Sequence, residues 1–151
     1  MLHRKSLIRG VCVSGTGLAP FRAMTTILVA DDEIPIVDLV RFTLEDDAIQ
    51  IVTAFDGLTA LELAQATRPD LAILDVQMPH LNGLEVCRRL RQCRECAHTR
   101  IIILTAAGQA EDRARGLAAG ADEYLTKPFS PLALLTLVRS LVPEVPVWPA
   151  T

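Results

Sequence analysis

The chain is poor in rings: its 151 residues include one Trp, one Tyr and four Phe. A core with so few aromatics must be filled by Leu, Ile, Val and Ala, which suits helices laid on a parallel sheet. No run of about 18 apolar residues occurs, so nothing reads as a membrane span. Cysteine is sparse too. Cys12, Cys87, Cys93 and Cys96 are scattered through a chain that is no small loop-rich scaffold, and they read as reduced thiols of a cytoplasmic protein. Cations run short beyond the first 24 residues: Arg4, Lys5, Arg9 and Arg22 precede any acid, and the remainder sets 11 basic against 18 acidic residues, a net of −7. A body this acidic lacks the phosphate-neutralising surface on which nucleic-acid binding depends, and instead suits attraction of a divalent cation. Lysine is scarcest of all, since Lys127 is the only one after Lys5.

What is present is one domain's length of chain, half of it apolar, enough to bury a core without metal or disulfide support. Residues 1–24 read as a disordered basic extension, interrupted by Gly10, Gly15, Gly17 and Pro20; an upstream start with Met24 as the true beginning, or a targeting segment, are the alternatives. From Thr25 the pattern turns regular. Thr26–Ala30 is an apolar strand running into Asp31-Asp32-Glu33, and Pro35 opens a helix with Ile36, Val37, Val40 and Leu44 at helical spacing. Residues 49–54 form a second strand and Gly57 starts a second helix, stopped at Arg68-Pro69. A third strand, Leu71–Asp75, ends an apolar run on a carboxylate; a helix from Asn82-Gly83 to about Gln92, a fourth strand over 100–105, an Ala-rich helix over 110–119, a short strand over 123–126 and a last helix over 131–142 follow. Five alternating pairs predict an α/β fold, a doubly wound parallel sheet with right-handed crossovers. Residues 143–151 read as a Pro-rich tail with no output domain behind it.

The chemistry-bearing residues fall at the carboxyl ends of these strands: Asp31 and Asp32, Asp75, Thr105, Lys127. In a parallel sheet those ends share one edge, where ligands bind. Three carboxylates brought together cannot all stay ionised without a cation, and hard oxygen donors of this kind suit Mg2+. Lys127 adds a compact point charge, Thr105 a hydroxyl, and Pro128 is a candidate cis-proline fixing the lysine's direction.

Taken together, Asp31-Asp32, Asp75 with Val76-Gln77-Met78-Pro79 and Asn82-Gly83, Thr105-Ala106 and Lys127-Pro128-Phe129 resemble the receiver domain of two-component response regulators over residues 26–142. The resemblance implies a flavodoxin-like (βα)5 sheet of order 2-1-3-4-5, the arrangement described for a chemotaxis member of that family. It implies that Asp75 accepts a phosphoryl group from a sensor histidine kinase or phosphotransfer protein, with Mg2+ held by Asp31, Asp32, Asp75 and the Gln77 backbone carbonyl. Thr105 and Ala106 would lie at the phosphoryl group with Lys127, and Tyr124 would be the aromatic switch. The module would be no enzyme beyond chemistry on itself. Its output would be changed protein contacts around residues 105–135, toward a downstream protein target or a homodimer, with no membrane and no direct nucleic-acid contact.

Plainer readings stand beside these. Asp75 could merely cap a turn, and Asp31 and Asp32 could serve a helix dipole, but neither explains the other or Lys127. Cys93-x-x-Cys96 with His98 has ligand-like spacing for zinc, yet no second such pair exists and Cys87 fits an apolar helix face. Arg88, Arg89, Arg91 and Arg94 read as a solvated helix face balanced by Glu85 and Glu95. The last helix is apolar almost all round, so Leu132 and Leu137 are candidates for an outward dimer or partner face. Among other functions, a HAD-type aspartyl-phosphate phosphatase would want a second Asp where Gln77 stands. A flavodoxin-like electron carrier would want a hydroxyl-rich phosphate loop where acids stand, and aromatics to stack its flavin. An unphosphorylated receiver scaffold is the third alternative.

Overall fold

The computed structural model describes residues 24–106 and 110–145; the expected N-terminal extension (except Met24) and the end of the Pro-rich tail lie outside them. Strands β1 (Thr25–Ala30), β2 (Ile49–Ala54), β3 (Leu71–Asp75), β4 (Arg100–Ala106) and β5 (Glu123–Lys127) form one parallel sheet in the order β2-β1-β3-β4-β5. Helices α1 (Ile34–Leu44), α2 (Gly57–Thr67), α3 (Gly83–Gln92), α4 (Ala110–Ala118) and α5 (Pro131–Leu141) alternate with them, and a 3-10 turn over Arg94–Cys96 follows α3. This is the doubly wound, flavodoxin-like arrangement expected.

The three central strands are apolar on both sides because both sides are covered. Along β1, Ile27 and Val29 join one buried cluster with Val37, Val40, Leu134 and Val138 of α1 and α5, while Leu28 and Ala30 join the other with Ala60, Ala64, Val86 and Leu90 of α2 and α3. A strand's side chains alternate between faces, so two apolar faces make one unbroken apolar run. At the margin, every residue of β5 is only partly buried.

Local sequence sets the helix ends. Asp56 caps α2, its carboxylate accepting from the Thr59 N–H and hydroxyl at 2.8 Å each; Asn82 Oδ1 caps α3 through the Glu85 N–H at 2.8 Å. Ser130 Oγ accepts from the Ala133 N–H at 3.1 Å and Pro131 follows at the first helical position of α5. α2 closes on Arg68 with φ of 48°, directly before Pro69.

Two expectations need correction. Arg91 does not belong to a solvated face. Its guanidinium donates to Gly120 O (2.7 Å), Thr99 O (2.6 Å), Ala97 O (3.2 Å) and Asp122 Oδ2 (2.8 Å), tying the end of α3 to the approaches of β4 and β5. Arg88 and Arg89 do pair with Glu85 on the surface. Leu137 does not face outward either: it leans on the α1/α5 cluster, because it lies one position before Val138, at the border of the buried stripe, whereas Leu132 is 71% exposed.

Candidate functional site

Register brings the polar residues together. Ala30 pairs with Leu74 and Asp75 with Leu104, so Asp31, the first residue past β1, stands level with Asp75 at the end of β3. Ala106 pairs with Lys127, which puts the lysine on the same edge from the far side of β4. The loop after β3 is held to its helix by backbone: the Gly83 N–H donates to Val76 O at 2.9 Å, and a Cβ at Gly83 would collide with the Asp75 carbonyl. Only glycine lets α3 start this close to the carboxylate.

One ligand oxygen from each of Asp31, Asp32 and Asp75 lies within 4.8 Å of the others, the one such acidic, histidine or cysteine cluster of three among the described residues. Asp31 is fully buried and Asp75 nearly so, while Asp32 opens to solvent. Lys127 Nζ sits among carboxylates, 2.7 Å from Asp31 Oδ2, 3.1 Å from Asp75 Oδ1 and 3.0 Å from Glu33 Oε1. Glu33, the third acid on the lysine, escaped the sequence reading; its only signal was adjacency to Asp31-Asp32.

Burial dominates the electrostatics. It pushes the Asp75 carboxyl up to about 6, with the negative charge of Asp31 adding to it and Lys127 opposing. Burial likewise raises Asp31, against the hydrogen bonding of Lys127 and of the Glu33 N–H. For Lys127, burial alone would favour the neutral amine, but hydrogen bonds to Asp31 and Glu33 and the charge of Asp75 outweigh it and hold the ammonium above its ordinary value. Both buried acids therefore favour a cation beside them.

The donor set fits Mg2+. Asp31 Oδ1 accepts the Glu33 N–H at 2.9 Å, and the buried Oδ2 meets the Lys127 ammonium at 2.7 Å. Hard carboxylate oxygens gathered from Asp31, Asp32 and Asp75 are what that ion selects. A cleft of about 290 Å3 opens over the cluster, lined by Asp32, Glu33, Asp75, Gln77, Ala106 and Lys127. A neighbouring cleft of about 530 Å3 shares Asp32 and Gln77 and runs to Asn82, Leu84 and Arg115.

The remaining expected residues sit close by. Thr105 is buried near the end of β4, Ala106 is exposed, and the Lys127–Pro128 peptide is cis. Tyr124 is half-buried on β5 beneath the Arg113 guanidinium, 4.5 Å from the ring centroid, a cation–π contact the sequence did not announce. His98 joins no metal-ligating cluster of three with the cysteines among the described residues.

The family model of the response regulator receiver domain matches residues 27–139. The chain belongs to that family. Relatives of this receiver include the alkaline phosphatase synthesis transcriptional regulatory protein PhoP of Bacillus subtilis, 44% identical over 77% of this chain and 48% of the relative. The phosphate regulon transcriptional regulatory protein PhoB of Rhizobium meliloti is 42% identical over 79% of this chain and 54% of the relative. The receiver thus spans about half the length of the curated relatives it matches. Among solved structures, the chemotaxis response regulator CheY4 of Vibrio cholerae superposes with a TM-score of 0.74 at 37% identity, covering 80% of this chain and 100% of that one. The Thermotoga maritima response regulator DrrB, an OmpR/PhoB homolog, gives 0.71 at 33% identity, covering 80% and 54%.

Proposed function

We propose that residues 25–142 form a phosphorylation-controlled signalling module in which Asp75 is the phosphoacceptor. The observation that carries this is the position of the one lysine in the described residues, its ammonium touching both Asp31 and Asp75 at the carboxyl edge of the sheet. A carboxylate oxygen of Asp75 attacks phosphorus of a donor phosphohistidine; the P–N bond breaks and its electrons leave with the imidazole. Asp31, Asp32, Asp75 and the Gln77 carbonyl would hold Mg2+, which when bound neutralises charge on the transferring group. Lys127 offsets a second share of that charge from the β5 side. Burial keeps bulk water from Asp75 and sharpens each of these interactions.

The acyl phosphate adds charge and acceptor oxygens where a single carboxylate stood. The Thr105 hydroxyl donates to the new oxygens, and Tyr124 turns into the space that Thr105 leaves, altering the surface over residues 105–135 that meets a downstream protein or a second copy. The donor is a sensor histidine kinase or phosphotransfer protein. The low-burial β5 and the exposed Leu132 support this face as the output surface.

Incubation of the chain with acetyl phosphate and Mg2+ tests the reading by intact mass. The expected result is one phosphoryl group on the wild type, none on Asp75→Asn, and none in chelator. An undiminished gain in Asp75→Asn overturns it.

A further inference from the structure

A pair of thiols lies away from the phosphorylation site, at the far end of α3. Cys93 ends that helix, its N–H shared between Arg89 O (3.1 Å) and Leu90 O (3.2 Å). The Cys96 N–H then donates to Cys93 O at 3.0 Å, closing one 3-10 turn. Cys93 is the extended residue that opens this turn, and a four-residue turn closed in this way holds its end Cα atoms less than about 7 Å apart. That range overlaps the roughly 4.4–6.8 Å that a disulfide spans, and the Cys93 thiol donates to Glu95 Oε1 within the same turn at 3.5 Å.

Their access differs. Cys93 is half-exposed, whereas Cys96 is fully buried against α2, its Sγ donating to Ala64 O at 3.6 Å. Burial pushes the Cys96 thiol up to about 11, so it does not start chemistry itself. Cys87 is equally buried, occupied with Ala119 O at 3.4 Å, and stands on a different part of the helix. One reachable and one sheltered sulfur, carried at the two ends of a single turn, form a pair able to close on itself.

We propose that Cys93 and Cys96 form a redox-active dithiol that closes to an intrachain disulfide by exchange with a low-molecular-weight disulfide. The Cys93 thiolate attacks one sulfur of the incoming disulfide, whose S–S bond breaks and releases one thiol, leaving a mixed disulfide on Cys93. Cys96 attacks Cys93 Sγ, the S–S bond of the mixed disulfide breaks, and the second small thiol departs with the proton that Cys96 gives up. The two cysteines lose two electrons and two protons, and the incoming disulfide is reduced to two thiols. Closure withdraws the Cys96 thiol from Ala64 O and pins the end of α3 to the turn.

The test equilibrates the full chain in glutathione buffers from reducing to oxidising, quenches with acid, alkylates and maps peptides. Trypsin cuts after Arg94, between the two cysteines, so the disulfide appears as two joined peptides. The expected result is that crosslink in oxidising buffer. Cys96→Ser should stop with one glutathionyl group on Cys93. Cys93→Ser, altered at the accessible position and checked for its melting transition, should react at Cys96 at least tenfold more slowly than Cys93 does in Cys96→Ser. The inference is overturned if both thiols stay alkylatable in oxidising buffer, if Cys93 pairs with Cys12 or Cys87, or if Cys96 in Cys93→Ser reacts as fast as Cys93.

Discussion

Asp75 is costly to keep ionised, and that cost is measurable apart from any phosphoryl chemistry. Its carboxyl, raised to about 6 by burial and by Asp31, binds a proton more tightly folded than unfolded. Its contribution to stability is therefore full below the pH of a free aspartate and is lost as pH climbs through about 6. In chelator at pH 7.5, Asp75→Asn should be more stable than wild type by about 1–3 kcal/mol. Below about pH 4, where a free aspartate too takes up its proton, the two should converge; urea unfolding at both pH values checks this, and equal curves at pH 7.5 would refute it. Glu33 should behave oppositely to its appearance. Although it meets Lys127 at 3.0 Å, it is 61% exposed, so Glu33→Gln should change stability by less than about 0.5 kcal/mol.

At the scale of elements, the strands were legible because a strand buried on both faces has no alternation to hide behind: Leu71–Asp75 and Ile101–Leu104 are continuous apolar runs closed by polar residues. The helix starts were legible from Pro35, Gly57 and Asn82-Gly83, whereas the caps Asp56 and Ser130 emerged only with the structure. The order of strands was not, since both faces of β1, β3 and β4 are apolar and the pattern carries no neighbour information; resemblance supplied it. Arg91 was misread for a related reason. Most of its partners are backbone carbonyls, two of them 8 and 29 residues away, and carbonyls leave no trace in composition. Arg91→Ala should therefore cost about 2–4 kcal/mol by stranding those acceptors and Asp122, whereas Arg88→Ala, on the exposed side of the same helix, should melt with wild type. Gly83→Ala should be worse for function than for folding: its methyl group pushes on the Asp75 carbonyl, so phosphorylation from acetyl phosphate should fall at least tenfold while a cooperative melt survives.

For the whole molecule, a ligand that binds only the folded chain raises its stability by mass action, by about 2.7 kcal/mol at a hundredfold excess over its dissociation constant. Mg2+ should raise the melting temperature of the wild type, and Asp32→Asn, which alters the most accessible of the three carboxylates, should blunt that rise. An unchanged response would remove Asp32 from the metal set. Buried β1 and β3 carry Asp31 and Asp75, yet Lys127 and Tyr124 both come from β5, a margin strand none of whose residues is fully buried. The two halves of the site therefore differ in how cheaply they yield. Amide hydrogens of β1 and β3 should exchange only through global unfolding, while those of β5 open locally at a fraction of that free energy. A charge placed on Asp75 then acts like weight added to the fixed jaw of a vice: the jaw holds its position, and the motion appears in the one free to slide.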